Sequence, residues 1–181
     1  MLTTESYTIG DAIGELDERI ETLGEELDER DEGTDEYDTL ASRKNRLGYL
    51  RTGLQWQRDE EGWDAETDIE LGALTAGENA LMHREAPDNA AQQEMRLWFV
   101  AACTERAPYV GGGLSETFEN LAGDGIHPAF VEWAEAKANS LGVPDDVGNR
   151  SAASQAETKT DTNSTTEPAS TTSSSSPSPT E

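Results

Sequence analysis

Apolar positions near the start of the chain recur on a helical period. Ile9, Ile13, Leu16, Ile20, Leu23 and Leu27 are spaced 4, 3, 4, 3 and 4 apart, a seam of about three heptads on one face of a helix. Thr8 is placed as its N-cap, with Asp11 at the position a capping box uses. Gly10, Gly14 and Gly24 interrupt the segment. Each costs up to about 1 kcal/mol of helix stability, so this helix needs a partner. Asp31-Glu32-Gly33-Thr34-Asp35 reads as a turn, and a second helix comes next with Tyr37, Leu40, Leu47, Leu50 and Leu54 along one side, ending before Gly62. Residues 1–62 are therefore expected to form an antiparallel, coiled-coil-like helical hairpin.

The pattern over residues 63–148 predicts a small helical domain with at most a short strand. Asp68–Leu74 alternates weakly and reads as that strand or as an extended lead-in. Thr75 and Glu78 match a capping box opening a helix through about Ala86. Asp88 is expected to cap a longer helix whose buried face is Ala91, Met95, Trp98, Phe99 and Ala102, with Val100 and Cys103 adding bulk and Pro108 ending it. Gly111-Gly112-Gly113 is a flexible connection. Leu114, Phe118 and Leu121 form one face of a short helix capped by Ser115. Pro128 suits the first turn of a last helix carrying Phe130, Val131, Ala134, Ala138 and Leu141, with Gly142 and Pro144 closing it. Trp56 and Trp63 flank the end of the second helix and are placed to pack the hairpin on the helical domain, or to serve as partner contacts.

From Asn149 to Glu181 the helical pattern stops. Nine of these 33 residues are Ser, eight are Thr, and the only apolar ones are four alanines. Such a segment buries too little surface to offset its ordering entropy and reads as a disordered tail. A glycosylated stalk would need secretion, and the first residues, Met-Leu-Thr-Thr-Glu-Ser-Tyr, lack the basic and apolar regions of a signal peptide.

Charge changes the picture. The 181 residues hold 13 Lys+Arg and 38 Asp+Glu, a formal net charge of −25. Only Lys44, Lys137 and Lys159 are lysines. Excess carboxylate with scarce lysine resembles proteins of extreme halophiles, whose self-repulsion is screened where the Debye length falls to about 3 Å in molar salt. The charge disfavours nucleic acid and anionic membranes as partners. It is also uneven. Residues 1–38 hold fifteen acids and two bases, a net of −13, whereas residues 39–58 hold no acid and five bases: Arg43, Lys44, Arg46, Arg51 and Arg58. Pairing between the two hairpin helices explains the basic stripe more simply than phosphate contacts do.

Candidate chemistry is sparse. Cys103 is the single cysteine and lies on an apolar helix without a suitably spaced histidine, so it reads as a small hydrophobe. His83 and His127 belong to no ligand cluster, and His127 reads as the start of a helix at Pro128. Asp59-Glu60-Glu61 and Asp64 lack the ligand spacing of a calcium loop. Gly111-Gly112-Gly113 precedes a helix as a phosphate cradle would, but no P-loop lysine accompanies it. No catalytic residue, metal site or cofactor is assigned.

From Glu70-Leu71-Gly72-Ala73-Leu74-Thr75-Ala76-Gly77-Glu78 onward the chain resembles phage tail assembly chaperones. The likeness continues through the apolar helix Met95–Pro108, the Pro-x-Phe-Val-x-Trp helix Pro128–Trp133 and the Ser/Thr/Pro tail, covering about residues 67–181. The acidic hairpin departs from the family's common short form. The resemblance implies a non-enzymatic protein of the host cytoplasm that binds the tape-measure protein and keeps it soluble during tail assembly, with the tail-tube protein and self-association as further contacts. Many such proteins also have a longer product made by ribosomal frameshifting. With the acidic composition, it points to a head-tailed virus of a halophilic archaeon. Met95, Trp98, Phe99, Phe130 and Trp133 are the partner-binding candidates, as core or binding wall. The alternatives are a structural virion component, or a nucleic-acid-linked regulator using the basic stripe at 43–58.

Overall fold

A computed structural model describes residues 1–142 of the chain. It is mostly helical, with a small three-stranded sheet. Strand β1 (Thr4–Thr8) runs directly into helix α1 (Ile9–Asp28). Thr8 caps α1 as its sequence predicts, its Oγ1 accepting the Asp11 N–H at 3.0 Å. Gly33 makes the hairpin turn at φ 84°, a left-handed conformation that favours glycine. Thr34 then caps α2 (Asp35–Asp59) by accepting the Tyr37 N–H at 3.2 Å.

After a second left-handed glycine, Gly62, the chain returns as β2 (Asp68–Gly72), antiparallel to β1 with Thr4 opposite Gly72 and Thr8 opposite Asp68. The sheet is two-faced. Tyr7, Ile69 and Leu71 turn inward and are buried, whereas Thr4 and Ser6 are exposed. Thr75 and Glu78 form the full capping box of α3 (Ala76–Glu85). Helix α4 (Gln92–Cys103) passes without a break into β3 (Thr104–Arg106), which pairs with the other edge of β2 across an irregularity at Glu70/Leu71. Helices α5 (Leu114–Leu121) and α6 (Pro128–Leu141) complete the described chain, and His127 caps α6 by accepting the Ala129 N–H on Nδ1 at 3.1 Å.

Several local expectations differ. The pattern allowed one short strand at residues 68–74, and the sheet has three strands. Thr104–Arg106, read as the end of a helix, is strand. Asp88 does not cap α4, which starts after Ala91 without a side-chain cap, and Ser115 lies inside α5, which starts after Gly113. The tail expected at 149–181 lies outside the described residues.

One core joins the hairpin to the later helices. Ile9, Ile13 and Leu16 of α1 and Leu50 and Leu54 of α2 pack with Ile69 and Leu71 of β2, Val100 of α4, Leu121 of α5, and Phe130 and Trp133 of α6. The boundary drawn at residue 62 therefore does not separate two cores. Gly53 permits a close approach of α2 to α6: a Cβ there would lie 2.6 Å from the Ala129 carbonyl carbon and collide with the Phe130 nitrogen. Trp63 fills the junction, stacked on Tyr109 at 6.1 Å and edge-on to Phe130 at 5.3 Å. Trp56 lies against the His127 ring at 5.8 Å. Both tryptophans thus sit where hairpin and later helices meet.

Candidate partner-binding surface

The five candidate residues divide between two apolar clusters. Phe130 and Trp133, on the inward side of α6, are at most 1% exposed, and Trp133 meets Tyr7 edge-on at 5.6 Å. Trp98 belongs with Met82 and Ala86 of the α3 segment and stacks flat on Phe118 of α5, with ring centroids 4.1 Å apart. Burial makes these three packing residues in the described chain. Met95 and Phe99 are half-buried at the margin of the α3–α4–α5 cluster. A common helical face was legible in the sequence, but which neighbour covers it was not.

Part of the apolar surface that remains lies beside this cluster. A cleft of about 320 Å³ is lined by Leu81, Ala101, Ala102, Val110 and Leu114, with Gly111–Gly113 along one side. Leu81 stands at 47% exposure in the lining of this cleft. Sequence reading did not single out Leu81.

The glycine run is not an open phosphate cradle. The Thr117 hydroxyl accepts the Gly111 N–H at 3.0 Å, and the Glu116 carboxylate accepts the Gly112 N–H at 2.6 Å. Glu116 thus places the chain's own anion where a phosphate would bind. A second cleft of about 350 Å³ lies between α2, α4 and α6, lined by Tyr49, Leu97, Ile126, Val131, Arg96 and Glu132. Arg96 crosses it to pair with Glu132 at 3.1 Å and Glu135 at 2.7 Å.

The basic stripe is largely engaged within the fold. Arg51 pairs with Asp17 across the hairpin, Arg46 reaches Glu132 of α6 at 3.5 Å, and Arg58 holds Asp59 at 2.7 Å. Pairing along the hairpin flank is thus partial, since α6 supplies a carboxylate as α1 does. Gln57 carries a function the sequence did not signal. Fully buried, it donates to the Gly125 carbonyl at 3.1 Å and accepts the His127 N–H at 2.9 Å, tying α2 to the start of α6.

Titratable groups add little reactive chemistry. Cys103 is fully buried, and burial, with a smaller contribution from Glu78, pushes its thiol up to about 12. The Met1 ammonium and the Thr75 N–H and hydroxyl bind the Glu78 carboxylate and hold it down to about 2. Among the described residues, no group of three or more His, Cys, Asp or Glu side chains is placed to hold a metal ion, and no helix is long and apolar enough to cross a membrane. No known protein family, curated protein or solved structure matches the chain.

Proposed function

We propose that the protein is a non-enzymatic tail assembly chaperone of a head-tailed virus with a halophilic archaeal host, acting in the host cytoplasm on the tape-measure protein. The observation that carries this reading is the order of elements behind the resemblance. The Thr75–Glu78 capping box opens α3, the apolar helix from Met95 ends before Pro108, and Pro128 begins the helix bearing Phe130 and Trp133. The cleft lined by Leu81, Val110 and Leu114 supports it further, as an apolar recess that accepts side chains of a long helix. Capture then falls to Leu81 and its neighbours in the cleft, Met95 and Phe99 pack at the margin of the adjoining cluster, and Trp98, Phe130 and Trp133 hold the fold.

Co-expression with a candidate tape-measure protein, a long helical chain from the same viral genome, tests this directly. The partner's soluble fraction should rise with the wild-type chain and fall back with Leu81→Glu, a substitution at an exposed position. Equal insolubility with and without the chain overturns the reading. Recovery of the chain from purified particles would favour a structural virion component instead.

A further inference from the structure

The hairpin reaches beyond the elements that cover its base. On α1 the shared core ends at Leu16, and on α2 it takes in Leu50 and Leu54, with Leu47 packed at its margin. Helix α6 meets α2 at Gly53 and extends a carboxylate, that of Glu132, as far as Arg46. Toward the Gly33 turn Leu23 is buried while Ile20, Leu27, Tyr37 and Leu40 are half-buried, and none of them belongs to either apolar cluster of the described residues. Two helices packed only on each other leave such a seam with an open side.

The charge around this seam is mainly negative, although Lys44 of α2 reaches across to α1, its Nζ 3.0 Å from where a Cβ on Gly24 would sit. Between Glu18 and Asp38 there are eleven acidic residues and two arginines. Both arginines are already engaged, Arg19 with Glu15 at 3.3 Å and Arg30 with Glu36 at 3.0 Å. A cleft of about 420 Å³ opens here, with Leu40 and Thr39 among its lining, the carboxylates of Glu26, Asp35 and Glu36 around it, and Arg30 already holding Glu36 at one side. That combination suits a lysine or arginine, whose aliphatic stem lies on apolar atoms while its head reaches carboxylates.

We propose that the distal half of the hairpin docks a cationic amphipathic helix of another protein. The apolar stripe of that helix lies along Leu27, Tyr37 and Leu40, and its Lys/Arg flanks face the acidic rim. Charge complementarity selects this occupant: a second copy brings the same acidic excess, and nucleic acids and anionic membranes are repelled. The inference stands apart from the chaperone reading, and its test uses neither a tail protein nor solubility as the readout.

The test is fluorescence anisotropy of the full chain with a labelled synthetic peptide of about three heptads, leucine at the seam and lysine on the flanks. A twin carrying glutamate on the flanks is the comparison. The lysine peptide should bind most tightly in low salt, weaken as KCl rises and keep measurable affinity in molar KCl through its leucine stripe, and the glutamate twin should not bind in low salt. The triple variant Glu25→Gln, Glu26→Gln, Asp35→Asn and, separately, Leu40→Ser should each weaken binding about tenfold, a difference of about 1.4 kcal/mol. Neutralising Glu60, Glu61 and Glu66 to Gln, away from the seam, should leave it unchanged. Circular dichroism of each variant checks that α1 and α2 remain folded, and the triple variant keeps the test decisive if Leu40→Ser unfolds. The proposal is overturned by no binding, by equal binding of both peptides, or by an unchanged affinity in the folded triple variant. Sedimentation showing a dimer that Leu40→Ser dissociates also overturns it, because a second copy then covers the seam.

Discussion

Gly53 sits where α2 crosses the first turn of α6, and it illustrates how one missing side chain sets the distance between two elements. A Cβ at this position would lie 2.8 Å from the Ala129 Cβ and 2.6 Å from the Ala129 carbonyl carbon, and would overlap the Phe130 nitrogen. Backbone atoms cannot rotate away, so the helices must separate. Gly53→Ala should cost about 3 kcal/mol, the upper end of overpacking, despite the gain of roughly 1 kcal/mol in helix propensity. Gly48 lies in the same helix with open space around its own Cβ position. Gly48→Ala should therefore stabilise by about 0.5–1 kcal/mol. Urea unfolding of the two variants gives opposite shifts if the geometry is right; a neutral or stabilising Gly53→Ala refutes the close approach. Neither glycine differs in its sequence surroundings in a way that foretells this. The contrast arises only from what α6 brings to the far side of α2.

At the scale of elements, Glu78 couples the first turn of α3 to the start of the chain. Its carboxylate accepts from the Thr75 N–H and hydroxyl, each at 2.8 Å, and pairs with the Met1 ammonium at 2.8 Å. These contacts depress its pKa from 4.5 to about 2, and a depressed carboxylate contributes stability that is present above the ordinary value and lost as pH falls toward the folded one. The advantage of the wild type over Glu78→Gln should accordingly be full near neutrality and shrink between about pH 4.5 and pH 2. Urea midpoints of both proteins across that range check it, and a constant difference would remove the assigned role. This capping box was legible in advance because Thr75 and Glu78 are three apart, the spacing at which each side chain accepts the other's backbone N–H. The α1 cap at Thr8 and the start of α6 at Pro128 were legible for equally local reasons. Strands β1 and β3 were not. Only Tyr7 is buried in β1, too little for an alternating pattern, and β3 continues from α4 with no breaker residue between them. The candidate surface was legible to the same depth: the seam through Met95, Trp98 and Phe99 marked a buried face, but Phe118 stacking on Trp98 depends on how α5 folds back.

Across the whole molecule the charge of −25 acts as a field rather than as a set of pairs. The ion pairs of the described residues engage most of the arginines, and they leave many carboxylates with no cation beside them, above all along the distal hairpin. Salt has two opposing effects on such a surface. It weakens exposed pairs, each of which is worth about 0–1 kcal/mol. It also screens repulsion among the unpaired carboxylates, shortening the Debye length from about 10 Å at 0.1 M to about 3 Å at 1 M. Because unpaired acids outnumber the pairs, screening should win and stability should rise with KCl. Chloride is the appropriate anion, since sulfate would strengthen apolar burial by exclusion from the surface and blur the cause. The distal hairpin supplies an internal control. Glu25→Gln, Glu26→Gln and Asp35→Asn remove three like charges from one region, so this variant should be more stable than wild type at 0.1 M KCl and gain less on going to 1 M. Thermal unfolding of both proteins over that range separates the outcomes: parallel curves would mean that repulsion along the hairpin contributes nothing, and a wild-type Tm that falls with KCl would mean that the ion pairs dominate.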